Sequence, residues 1–546
     1  MFSRVISAAV YGIDAYIVNV ETDVGFGLPT FDMSGALGSK VREAKDRVRV
    51  AIKNSGIELT PQKIVINISP ANIRKEGTIY DLPIAIGILA ANGCFDLKIL
   101  ENVLIIGEVS LDGSINPVKG VLPMVCAAKE AGIDNCIIPK ANIAEGRIMN
   151  NINIYGVETL SQTIEILKNI AVIDGSRKNI KQADVKSGEC NKSDGNINND
   201  TYNVLERSRV KFTYGSEVKN NNHSCSYNID YSDISGQEAA KRATMIAVSG
   251  MHNIMYIGPP GSGKTMLAQR IPTIMPDMDY EEQLRLTKIY SVAGLLNNTK
   301  GKIERPFRNP HHTITQAALL GGGAVPRPGE ITLSEGGVLF LDEMTEFNQV
   351  IMEALRQPLE DKVITLVRVN AAYTYPAHFM LAAAINPCKC GYYPDRNRCH
   401  CSEYDIRRYI GRISNPMWDR FDMCVKVDEV SYEVMRNKGN VDTIYNSTDM
   451  KNKVEAARQM QKDRFKKLDI NYNSQMGVRE IHKYCTLNVE CNELMERMYK
   501  QHNMSARAYN KVLKTARTIA DLKGSVNIEK EHLTEALFYK NCEVKS

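Results

Sequence analysis

The sequence lacks any apolar run long enough to cross a bilayer: its longest, Leu82 to Ala91 (LPIAIGILAA), falls well short of the roughly 18 to 20 residues required. Neither sign of charge dominates. Lys plus Arg number 68 against 63 Asp plus Glu, a net charge of +5, so any contact with a polyanion must be local. The start, MFSRVISAAVYGID, meets Asp14 and Glu21 without the apolar core and small-residue cleavage pattern of a signal peptide. The expected address is therefore the cytoplasm. Thirteen cysteines, an odd number without export signals, favour reduced thiols over a disulfide framework. No repeat at a fixed period of about 20 to 50 residues is visible. With 43% hydrophobic and 24% charged positions, disorder throughout is excluded, and 546 residues suffice for about three or four domains.

Residues 1–170 alternate β-rich runs such as Ile64 to Ile68 (IVINI) and Val103 to Ile106 (VLII) with helical stretches such as Val41 to Asn54 and Val121 to Ala131. This is an α/β domain. Residues 171–228 are rich in Asn, Ser, Lys and Asp with few core-forming clusters, which reads as a mostly mobile, Asn-rich linker. A second α/β domain is expected over 229–430. Residues 431–546 carry apolar positions at three- and four-residue spacing, as in Tyr509 to Leu522, and predict a helical lid.

Within the second domain, Gly258-Pro259-Pro260-Gly261-Ser262-Gly263-Lys264-Thr265 fits the phosphate-binding pattern G-x-x-x-x-G-K-[ST]. The apolar run Ile254 to Ile257 precedes it and a helical pattern starts at Met266, so the strand, loop and helix context is present. Glycines let backbone N–H groups face a triphosphate, Lys264 supplies charge to its outer phosphates, and the Thr265 hydroxyl is placed for Mg²⁺. The strand Val338 to Glu343 (VLFLDE) supplies the acids: Asp342 for Mg²⁺ and Glu343 to polarise the attacking water. A third apolar run, Phe379 to Ile385, ends at Asn386, whose amide either positions that water or simply makes a turn.

Cys388-x-Cys390 and Cys399-x-Cys401 place four thiols on a short loop, as tetrahedral Zn²⁺ requires at about 2.3 Å per sulfur. Free reduced cysteines and a redox pair are the alternatives, with His400 as an outside replacement for one ligand. Four thiolates would leave no open position, so such a zinc is structural. From Pro387 to Arg412 the cations Lys389, Arg396, Arg398, Arg407, Arg408 and Arg412 outnumber Asp395, Glu403 and Asp405. Tyr392, Tyr393, Tyr404 and Tyr409 are interleaved. That composition suits phosphates and stacked bases, or equally a solvated face with packed tyrosines. Arg305, Arg308, Arg327 and Arg368 are further candidate cations for such phosphate contacts. His311 and His312 in FRNPHHTIT suit packing or capping as well as function.

The segments GQEAAKRA, GPPGSGKT, FRNPHHTIT, GGGAVPRPGEITLSEGGVLFLDE, LRQPLED, NPCKCGYY and WDRFD, in that order, resemble the Mg-chelatase-like AAA+ ATPases of the ComM/YifB family. GLPTFDMSG, KDRVRVAIKNSG and NIRKEGTIYDLPIAIGILAA extend the resemblance through the first domain. It implies a homohexameric ring binding ATP and Mg²⁺ through Gly258 to Met266. Arg420 of WDRFD would be the finger offered to a neighbour, with Arg412 as fallback because Asn415-Pro416-Met417-Trp418 departs from the family's usual run. Arg507 of SARAYNKV would be the lid's sensor arginine. DNA translocation or branch migration is the implied activity. Remodelling of a protein or metal-insertion partner, by likeness to magnesium chelatase, is the alternative.

Ser110 to Lys140 also resembles the proteolytic domain of Lon, whose fold is related to ribosomal protein S5, an α+β arrangement. Leu122 stands where Lon has its lysine, and Gly77 to Leu82 replace the serine motif. An ATP-dependent protease is therefore the minor alternative, with Ser69 and Lys75 the nearest substitutes for the missing pair.

Overall fold

A computed structural model describes residues 1–170, 229–296, 303–323, 326–368, 371–432 and 445–540. The linker expected over 171–228 lies outside the described residues. The chain divides into two compact units. The first comprises Met1–Asn222, Thr287–Ile303 and Val367–Tyr373; the second comprises His223–Leu286, Glu304–Leu366 and Thr374–Ser546.

The first unit is built on a mixed seven-stranded sheet: β1 Phe2–Tyr11, β2 Asp14–Gly25, β3 Phe31–Ser34, β4 Lys63–Ser69, β5 Val103–Ile105, β6 Asn135–Pro139 and β7 Asn153–Val157, in the order β3-β4-β2-β1-β5-β6-β7. β1 and β2 form a hairpin paired from Phe2↔Asp23 to Tyr11↔Asp14. Because side chains alternate along a strand, β1 sends Val5 and Ala9 into one core and Ala8 into another, so both sheet faces are covered. The apolar run that is too short for a membrane becomes the helix Asp81–Ala91, buried at every position. A helix apolar all round belongs in a core, and each of its leucines and isoleucines stabilises the fold by about 1.5–3 kcal/mol. Its first residue, Asp81, is held by a two-pronged contact with Arg47 at 2.8 and 2.9 Å. Burial still raises the Asp81 pKa, with Arg47 opposing the shift.

The second unit carries five parallel strands: β8 Ile254–Ile257, β9 Phe307–Arg308, β10 Val338–Leu341, β11 Met380–Ile385 and β12 Met423–Lys426, in the order β9-β10-β11-β8-β12. The runs IMYI, VLFL and MLAAAI are buried throughout, as parallel strands covered on both faces must be. Register decides the function of this sheet. Ile257 pairs with Ile385 and Leu341 with Ala383, so β8, β11 and β10 end side by side and deliver Gly258, Asn386 and Asp342 to one rim. After it come the helices Ser447–Phe465, Val478–Tyr484, Val489–Gln501, Ala506–Leu522 and Lys530–Lys540. Asn446, Asn488 and Ser505 cap three of them by accepting a backbone N–H, which stops each helix from starting earlier. No helix among the described residues is long and apolar enough to cross a membrane.

Candidate nucleotide site

The loop between β8 and the helix Lys264–Gln269 curls under a positive-φ backbone, with Gly263 at φ 90° opening the helix. Gly258 is needed for a different reason: a Cβ there would sit 2.0 Å from the Val427 carbonyl oxygen. Lys264 is buried and donates to the carbonyls of Gly258 and Pro259 at 2.8 and 2.7 Å and to Asn386 Oδ1 at 3.1 Å. Burial pushes its pKa down to about 8, against the pull of Asp342 and Glu343. Thr265 Oγ1 donates to Asp342 Oδ2 at 2.8 Å. Glu343, two residues past the strand end, adopts φ 49° and is exposed. Four sequence-selected groups therefore meet at the C-terminal rim of the sheet, where ligands of open α/β folds sit.

Arg420 and Arg507 lie elsewhere. The backbone oxygen of Arg420 accepts from Asn253, the residue before β8, so Arg420 belongs to the opposite rim. It is 7% exposed, and its Nη2 pairs with Glu360 Oε1 at 2.7 Å. Arg507, at the start of its helix, shares the same Glu360 oxygen. Burial and the neighbouring Arg507 both lower the Arg420 pKa, and its Nε is buried without a partner. The lid helix is tied to this rim by Lys511, 2.8 Å from half-buried Asp422. Arg412, the fallback finger, pairs with Glu346 at 2.9 Å.

The four cysteines converge. Their sulfurs lie within 4.8 Å of one another, with Cys388 3.2 Å from Cys390 and 3.7 Å from Cys399. Burial opposes ionisation of Cys390, but the Tyr392 N–H and the other three thiols outweigh it and bring the pKa down to about 6. Four sulfurs this close together form a donor set suited to Zn²⁺. Nine cysteines, these four included, are free thiols among the described residues.

The basic stretch is less free than its composition suggests. Arg398 pairs with Glu429 at 2.6 Å and lies 3.9 Å over the Tyr392 ring, and Arg396 donates to the Cys401 carbonyl at 2.9 Å. Arg305 is buried against the carbonyls of Pro276 and Gly336 and against Glu282, which removes it from any pore lining. Arg308 grips Glu330 at 2.6 and 2.7 Å. All six cations of the stretch are exposed; Arg407, 3.8 Å from Glu403, and Arg408 stand on the helix Glu403–Ile410 with Tyr404, which is 72% exposed. Outside this stretch, Arg327 and Arg368 are also exposed. His311 bonds to Thr313 at 2.9 Å and lies tilted against the His312 ring, a local loop contact.

Three families match in sequence: subunit ChlI of Mg-chelatase over residues 20–142, magnesium chelatase subunit ChlI over 230–435, and its C-terminal domain over 445–540. Competence protein ComM of Haemophilus influenzae is 36% identical over 536 residues, spanning 98% of this chain and 97% of the relative. The chain belongs to the ComM/YifB family of Mg-chelatase-like proteins. YifB of Escherichia coli is likewise 36% identical over 538 residues, spanning 98% and 97% of the two chains. The fold follows the family: a mixed-sheet N-terminal domain, a parallel five-stranded AAA+ ATPase core and a helical C-terminal region. Mg-chelatase-type ATPase function, with ATP and Mg²⁺, comes with that membership.

The N-terminal likeness to Lon is also present, at 31% identity over 151 residues to archaeal Lon protease of Thermococcus kodakarensis, covering 27% of this chain and 23% of the relative. Lys75 is buried and donates to the Pro70 carbonyl, and Leu122 is buried in a core. Residues that sequence reasoning missed include Glu360, Asp422 and Gln237. The last donates to the Ser262 carbonyl at 3.3 Å and the Asp428 carbonyl at 2.5 Å, bracing the phosphate loop. All three stand in segments that carry the family resemblance, LRQPLED, WDRFD and GQEAAKRA; a partner to brace is what the linear pattern does not display.

Proposed function

We propose that the chain is one subunit of a homohexameric ring whose ATP hydrolysis drives movement along single-stranded or branched DNA. The single observation that carries the ATPase half is the meeting of Lys264, Thr265, Asp342 and Asn386 at one rim. Gly258 to Met266 cradle the phosphates, and Lys264 exchanges its carbonyl partners for phosphate oxygens. Thr265 and Asp342, two hard oxygen donors already at 2.8 Å, fit Mg²⁺, which neutralises phosphate charge when bound. Glu343 takes the proton of the attacking water, and Asn386 holds that water in place. Arg420 and Arg507, on the rim away from their own cradle, serve the nucleotide of an adjoining subunit, where they offset charge on the transferred phosphoryl group. The four cysteines hold a structural zinc.

DNA as the track is supported by the relative named a competence protein and by the helix Glu403–Ile410, whose Arg407, Arg408 and Tyr404 offer charge and a stacking ring beside the cysteine loop. Cytoplasmic residence accompanies this reading. The second reading, a motor that remodels a protein or metal-insertion partner, is supported by the three magnesium chelatase matches. An ATPase assay with and without single-stranded, duplex and branched DNA separates them. Severalfold stimulation by DNA, falling steeply with salt, is expected. Turnover indifferent to every DNA form, with stimulation by a protein partner, would replace the first reading with the second.

A further inference from the structure

The cysteine loop touches the phosphate loop on two sides. On the first, Asn386, which accepts from Lys264 at 3.1 Å, is joined to Cys388 through Pro387 alone. Three residues further on, Gly391 adopts φ 88°, and a Cβ built there would lie 2.4 Å from Cδ of Pro260, so bare backbone packs on the proline ring. On the second side, Arg398, next to Cys399, pairs with Glu429 at 2.6 Å. The strand exit that carries Glu429 also presents the Asp428 carbonyl to Gln237, which braces Ser262, and the Val427 carbonyl against Gly258.

Within the loop these two sides are joined by Arg398 lying over the Tyr392 ring, by turn hydrogen bonds such as Cys399 N–H to the Asp395 carbonyl, and by the four sulfurs. Residues 387–402 contain no helix or strand, only turns, and the largest common element is the four-sulfur cluster itself. Loops without a core of their own take their shape from a bound metal, because ligand geometry replaces the missing packing. We infer that a metal ion held by Cys388, Cys390, Cys399 and Cys401 is a positioning site for the nucleotide cradle, setting ATP affinity by clamping Gly391 on Pro260 and Arg398 on Glu429. This rests on the zinc reading above and goes beyond it: the metal controls nucleotide binding and is more than a stabiliser of its own loop.

The test uses the full chain and two independent readouts, zinc per chain by elemental analysis and the affinity for a fluorescent ADP analogue, with thermal unfolding alongside. The variant Cys399→Ser/Cys401→Ser is expected to lose zinc, bind the analogue roughly tenfold more weakly and unfold near the wild-type temperature. Gly391→Ala is expected to keep zinc yet weaken binding severalfold, because its Cβ displaces Pro260. Gly524→Ala, also at positive φ but with open space around its Cβ, is the control and leaves binding unchanged. If the cysteine variant does not fold, wild-type protein stripped of zinc by a chelator and then refilled gives the same comparison, with affinity expected to fall and return. Zinc-free folded protein that binds the analogue as tightly as wild type overturns the inference. Wild-type protein that carries no zinc, purified without chelators, overturns instead the metal reading on which it rests.

Discussion

The two rims of the five-stranded sheet solve opposite problems with similar charges. At the C-terminal rim, Lys264 has only carbonyl and amide oxygens as partners, and its charge is disfavoured enough to bring its pKa down to about 8. At the N-terminal rim, Arg420 and Arg507 share one carboxylate, and the guanidinium remains charged because arginine does not deprotonate in proteins. The first is a cation waiting for an anion that the chain itself does not provide. The second is a cation pair held by Glu360, which the proposed ring would present to a neighbour's nucleotide. A lysine suits the first position because its proton affinity responds to the ligand, and an arginine suits the second because its forked donors can hold a carboxylate and later a phosphate.

The sharpest way to break this contrast is to remove the N-terminal cation. Arg420→Ala should lower turnover by about 10³-fold or more while leaving nucleotide binding intact. Mixing Arg420→Ala with Lys264→Ala chains should restore part of the activity, since some interfaces then hold both intact halves. Absence of rescue in demonstrably mixed assemblies would assign Arg420 to its own subunit.

At the C-terminal rim, Glu343→Gln should reduce hydrolysis by about 10²- to 10³-fold with ATP still bound, measured by steady-state turnover against analogue binding. Lys264→Ala should weaken binding itself. A Glu343→Gln protein that turns over normally shows that the acid lies idle.

A smaller effect follows from the lowered Lys264 pKa. Phosphates bind the protonated amine, so binding above about pH 8 must be accompanied by proton uptake. Affinity for ADP should therefore be flat below that pH and fall by up to about tenfold per unit above it. An affinity unchanged to pH 9.5 would mean the ammonium survives burial. The smallest effect concerns backbone strain alone: Gly263→Ala meets nothing within 4 Å, yet must hold φ 90°, and should cost about 1–2 kcal/mol in local stability. Calorimetric unfolding measures it.

How much of this was legible in the linear sequence depended on how local each feature is. GPPGSGKT and VLFLDE were readable because a phosphate loop is a run of adjacent residues, and its strand and helix flanks are encoded beside it. Asn386 was readable as a candidate because it ends an apolar run. Composition misled at Arg398, within the basic stretch, and at Arg305, outside it: net charge counts cations, but pairing with Glu429 or Glu282 is invisible without the fold. The Asp81–Ala91 helix shows the converse, since its apolar run excluded a membrane span but did not say that strands and a helix from elsewhere in the unit bury it on every side.

The sequence by itself determined the phosphate loop, the acidic strand, the four-cysteine loop and the family, because each rests on spacing within a short segment or on long collinear motifs. Only the tertiary structure decided which groups share a rim. Parallel register brings Gly258, Asp342 and Asn386 together from three distant strands, and the same directionality places Arg420 and Arg507 at the far end. Chain direction within a parallel sheet separates strand beginnings from strand ends by the length of the strands, and no local pattern carries that information.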